Sequence, residues 1–89
     1  SKNIMSTKTK QELPKWFNGT VYSEGAEVTN PYSGESIKLN AIELSMYDLT
    51  MGASFVAEMG KSEKAIELLQ KGLRWFMKNN AKAYMVLLD

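Results

Sequence analysis

Asp48 is the side chain whose setting could carry chemistry. In the run LSMYDLTMGASF it stands four residues after Leu44, three before Met51 and seven before Phe55, spacings that put all four on one face of a helix. Such a carboxylate is expected to be a buried charge, and Arg74 or Lys78 could supply its counter-ion. An ion pair fixing helix register is the role that follows, because a lone carboxylate seldom suffices for acid–base work. A second constellation is Lys8, Lys10 and Lys15 beside Trp16 and Phe17. Cations interleaved with aromatics bind single-stranded nucleic acid or a membrane interface. The plainer reading is a solvated lysine tail followed by a hydrophobic anchor. Glu24, Glu27 and Glu35 could face a hard cation, but they lack the spacing of a calcium loop and read as a solvated strand face. Glycines 52, 60 and 72 lack the spacing that cradles phosphate.

What is missing narrows the chemistry further. The 89 residues contain no cysteine and no histidine. Thiolate zinc sites, disulfides, Ser–His or Cys–His nucleophiles and imidazole proton transfer are therefore excluded. No catalytic residue, cofactor or metal site is expected, and the chain reads as not an enzyme. Eleven basic residues against ten acidic ones give +1, which argues against a nucleic acid held by overall charge. No apolar run is long enough to span a membrane, and SKNIMSTKTKQE has no apolar leader core, so a cytoplasmic setting is expected.

The elements that would position these residues form a single small domain. Residues 1–12 are polar and read as a flexible tail; Leu13, Trp16 and Phe17 then make an apolar plug. Residues 20–39 read as a hairpin region. Pro31 and Gly34 supply the turn, and Ala26 and Val28 should face Ile37 and Leu39. Asn40 with Glu43 three residues on is a capping-box variant that opens a helix over 41–59, closed by Gly60. On that helix Ile42, Met46, Leu49, Ala53 and Val56 line one face, while Leu44, Tyr47, Met51, Phe55 and Met59 line another nearly opposite. Ser62 caps a second helix over 63–78, amphipathic about Ile66, Leu69, Leu73 and Phe76, with Leu68 and Trp75 widening its apolar arc. Residues 81–88 form a short apolar C-terminal segment: Ala81, Tyr84, Met85 and Leu88 have helical spacing, although AYMVLL would also serve as a buried strand. The fold class is α+β, a short N-terminal β-hairpin region followed by an antiparallel helical hairpin.

Charge alternates along this order. Residues 41–60 carry Glu43, Asp48 and Glu58 unopposed, −3, whereas 61–80 carry Lys61, Lys64, Lys71, Arg74 and Lys78 against Glu63 and Glu67, +3. Adjacent segments thus attract each other, or their copies in another chain.

The stretch EMGKSEKAIELLQKGL with NNAKAY is similar to part of one tetratricopeptide repeat, with Gly60 in the inter-helix turn, Ala65 at a close crossing and Leu69 in the core. It departs at Leu49, Gly52 and Met77, where that family has tryptophan, leucine and proline. The resemblance implies a helix hairpin. The longer stretch LPKWFNGTVYSEGAEVTNPYSGESIKLNAIELSMYDLTMGA, with the ending AYMVLLD, resembles small proteins of no known activity from marine cyanophage and ocean metagenomic sequence. That resemblance implies a phage-like source and attaches no reaction or ligand.

A helix apolar on two faces wants cover on both, and a chain this short buries only about 60 to 65% of its unfolded surface. The expectation is a homodimer whose interface includes Leu44, Tyr47, Met51, Phe55 and Trp75. Its function would be that of a non-enzymatic assembly or protein-interaction module, a phage accessory protein in the host cytoplasm. The alternative is a small nucleic-acid-binding regulator using the basic tail and the arc of Lys64, Lys71, Arg74 and Lys78.

Overall fold

A computed structural model describes residues 11–60 and 62–89. The first ten residues of the expected tail lie outside the described part. The chain folds as strands β1 (Ala26–Thr29) and β2 (Ser36–Leu39), helices α1 (Ala41–Glu58) and α2 (Glu63–Asn79), and a terminal segment of one α-turn, α3 (Ala81–Ala83), widening into a π-helical turn over Tyr84–Leu88. It is an α+β fold. The terminal segment is therefore helical and not a strand.

β1 and β2 pair antiparallel with Ala26 opposite Leu39 and Val28 opposite Ile37, a register that the alternation of the two runs leaves open. Within the turn the Asn30 carboxamide oxygen accepts from the Tyr32 amide at 2.8 Å, and Gly34 takes a φ of 80°. Of the four paired apolar residues only Leu39 is buried; Val28 and Ile37 are half-buried and Ala26 is exposed. A two-stranded ribbon cannot shield a face by itself. This one is tied down by the Asn30 side-chain amide, which donates to the Val86 carbonyl at 2.9 Å.

α1 starts where its sequence specifies. The Asn40 side chain accepts from the Glu43 amide at 2.8 Å, and the Glu43 carboxylate accepts from the Asn40 amide at 2.9 Å. It ends at Gly60, which adopts a φ of 70° that side-chain-bearing residues rarely tolerate. The chain then reverses, and Ser62 caps α2 by accepting from the Ala65 amide at 3.0 Å.

The two long helices pack on each other. α1 buries Glu43, Met46, Thr50 and Ala53, spaced by three and four; α2 buries Ala65, Gly72 and Phe76. At the crossing a methyl group on Gly72 would run into the Thr50 hydroxyl and sit 3.0 Å from Thr50 Cβ, so the helix contact needs a glycine there. The central cluster is Leu39, Met46, Phe76, Ala83 and Leu87, with Leu13, Trp16, Phe17, Leu44, Tyr47 and Trp75 packed around it. All of it gathers at one end of the helical hairpin, where α1 begins and α2 finishes.

Candidate functional site

Asp48 is not a buried charge: it is exposed. Its helical position is as expected, but the face it occupies is uncovered at that level, so nothing demands a counter-ion. The buried carboxylate is Glu43, 6% exposed, one turn into the same helix. It accepts from Gln11 Nε2 at 2.8 Å, Asn80 Nδ2 at 3.0 Å and the Asn40 amide at 2.9 Å. Gln11 Oε1 in turn accepts from Asn40 Nδ2 at 3.0 Å, and the Asn80 carboxamide oxygen accepts from the Ala83 amide at 3.1 Å. Three chain segments thus meet on one carboxylate, through neutral donors. Gln11 belongs to this network, so the chain is anchored from two positions before the expected domain start at residue 13. Among the described residues every buried side-chain nitrogen and oxygen has a partner. A satisfied network of this kind holds structure together and offers no free group for a reaction.

The five residues expected at an interface divide into two sets. Leu44, Tyr47 and Trp75 pack around the central cluster. Burial lifts the Tyr47 phenol above its ordinary value near 10.0. Trp75 meets Phe76 edge to face, ring centroids 5.0 Å apart at 81°. These three are half-buried, each packed on the core on one side. The chain's own N-terminal plug and terminal segment supply part of the cover that the sequence led us to expect from a partner. Met51 and Phe55 remain exposed, and Val56 and Met59 join them.

Two surfaces follow. The first is the outer face of α1's second half. Met51, Phe55 and Met59 stand four residues apart and form a ridge of exposed apolar side chains. Beside it runs the row Asp48, Gly52, Val56, in which Gly52 contributes no side chain and has nothing packed on it. That row opens into a largely apolar groove of about 490 Å³ between α1 and α2, bordered by Leu49, Ala53, Ala65 and Leu68, with Asp48 and Lys64 on its rim. Sequence periodicity found Met51 and Phe55; it missed the groove, for which Gly52 in the middle of a helix was the available signal.

The second surface lies where the N-terminal segment crosses α2. Trp16 and Trp75 line a groove of about 570 Å³ together with Lys15, Lys71, Arg74 and Lys78. Lys71 Nζ sits 5.6 Å from the Trp16 ring centroid, and 3.6 Å from Glu67. Of the basic and aromatic residues singled out in the tail, Lys15 and Trp16 reach this groove, Phe17 packs towards the core, and Lys8 and Lys10 lie outside the described residues. Lys64 is apart from it, on the first surface.

Among the described residues no acidic cluster could hold a metal ion, and no helix is long and apolar enough to cross a membrane. No protein-family model, no curated protein and no solved structure matches the chain.

Proposed function

We propose that the protein is a non-enzymatic interaction module that pairs with a second copy of itself through the outer face of α1. The observation that supports this is the ridge of Met51, Phe55 and Met59 lying beside a row lowered by Gly52. Ridge and groove on one helix are mutually complementary: in a two-fold pair, each ridge seats in the other's groove, with both helices using rows four residues apart. Such packing crosses the helices at about −50°. Asp48 and Lys64 on the groove rim favour the same arrangement by placing opposite charges around an apolar centre. Fully covering a side chain such as Phe55 gains about 1.5–3 kcal/mol. Met51, Phe55 and Met59 are 41%, 66% and 55% exposed, so each gains only part of that, and set against association costs of about 4–15 kcal/mol the sum suits a weak dimer, no tighter than about micromolar. A phage accessory protein working in the host cytoplasm is the setting in which we place such a module.

Sedimentation across a concentration series tests this. Wild type should pass from monomer to dimer as concentration rises through the micromolar range, and Phe55→Asp should remain monomeric with unchanged helix content. A wild-type protein that is monomeric at hundreds of micromolar would overturn the reading. So would a dimer indifferent both to Phe55→Asp and to Gly52→Leu.

A further inference from the structure

Net charge hides what the fold concentrates. The chain carries +1 in total, yet Lys15, Lys71, Arg74 and Lys78 border one groove, with Glu12 as the single carboxylate on its lining. The three cations of α2 follow one another at spacings of three and four, so they form a row along one helix face about 10 Å long. Both tryptophans of the protein line the same groove. Arg74 and Lys78 are exposed, whereas Trp16 and Trp75 are half-buried, each held by the core on one side and open to the groove on the other.

We propose that this groove binds single-stranded nucleic acid, with phosphates along the row of Lys71, Arg74 and Lys78 and bases against Trp16 and Trp75. The aromatic component decides between anionic partners. An acidic peptide needs only cations, whereas a row of cations flanked by indole rings matches a chain that alternates phosphates with flat π-faced bases. In the free protein the half-buried Lys71 side chain places its ammonium over the Trp16 ring and 3.6 Å from the exposed Glu67 carboxylate, whose hydration keeps the pair weak. A phosphate competes well for that ammonium, and drawing it aside uncovers the indole face for stacking. Placement of the tryptophan and lysine so that one guards the other explains why the cation–π contact spans α2 and the N-terminal segment.

The two tryptophans supply the readout. Titration of the full chain with a 20-nucleotide oligothymidylate at low salt should quench their emission. The logarithm of the affinity should fall linearly with that of salt, with a slope of about −2 if three phosphates are engaged. The double variant Arg74→Glu with Lys78→Glu changes only exposed side chains and should bind at least tenfold more weakly. The milder Arg74→Gln with Lys78→Gln should show the same loss in part, with wild-type circular dichroism. Absent quenching, salt-independent quenching, or equal affinity in both variants would overturn the assignment. Equal quenching by polyglutamate would overturn it in favour of an acidic protein partner. Phe55→Asp should bind the oligonucleotide as wild type does, which separates this site from the self-association surface.

Discussion

One row along α1 passes through two environments. Leu44 and Tyr47, in its first half, pack around the central cluster; Met51 and Phe55, continuing the same row, face solvent. Nothing in their chemistry distinguishes the pairs. The difference comes from which other segments reach them: the hairpin, the N-terminal plug and the terminal helical turns all fold onto the end where α1 begins, and none of the core cluster comes from α1 beyond Met46. Helical periodicity gives the angle of a side chain about the axis and says nothing about how far along that axis cover extends. An amphipathic or doubly apolar helix can therefore be half core and half interface.

Phe76 and Phe55 break this comparison most sharply, being the same residue at 0% and 66% exposure. Phe76→Ala should cost about 3–5 kcal/mol, the transfer free energy of the ring plus the cavity left among Leu39, Met46 and Leu87. For an 89-residue domain that approaches the whole stability, so urea unfolding should show little or no native baseline. Phe55→Ala, measured on the dilute monomer, should shift stability by no more than about 0.5 kcal/mol. A comparable loss at both positions would mean that the second half of α1 is covered within one chain after all.

The carboxylate and the helix crossing come next. Glu43→Ala leaves Asn80 Nδ2 and the Asn40 amide without their acceptor, leaves Gln11 with only its longer bond to the Asn79 carbonyl at 3.3 Å, and removes half of the capping box. About 1–3 kcal/mol follows from the unsatisfied donors. Asp48→Ala, five residues further on and exposed, should stay within about 0.5 kcal/mol. Gly72→Ala sets two effects against each other: alanine favours helix by about 1 kcal/mol, but its methyl group would run into the Thr50 hydroxyl, which is held by the Met46 carbonyl, and lie 3.0 Å from both Cβ and Cγ2 of Thr50. Because those atoms belong to a β-branched side chain with few alternative rotamers, the clash wins, and a net loss of about 1–2 kcal/mol is expected from urea midpoints.

Much of the scaffold was legible because it is written in local chemistry. The Asn40 and Ser62 caps, the positive φ of Gly34 and Gly60, and the alternating runs of the hairpin each depend on residues within a few positions of one another or on a single alternation. The site residues depend on contacts distant in sequence. Glu43 looked like a cap and is also the acceptor where Gln11 and Asn80 converge, 32 and 37 residues away. Trp75 looked like excess apolar surface until Leu13 and Trp16 came to lie across α2. Lys15 and Lys78 are far apart in the chain: the basic character of each segment is visible in the sequence, but not that the two share a groove.

The smallest effect expected also belongs to the covered half of the row. Burial raises the Tyr47 phenol above 10.0, because a phenolate is disfavoured where the ring meets the core. The unfolded chain then releases that proton at lower pH than the folded one does. Its contribution is fully present below about pH 10 and is lost as pH rises through the folded value. Lysines titrate in the same range, so the informative quantity is the difference between wild type and Tyr47→Phe. Between pH 9 and 11, roughly bracketing the phenol's ordinary value, wild type should lose stability relative to the variant. Parallel curves would place Tyr47 in water, and the boundary between core and interface would then fall a full turn nearer the start of α1, with Tyr47 joining Met51 and Phe55 on the exposed side.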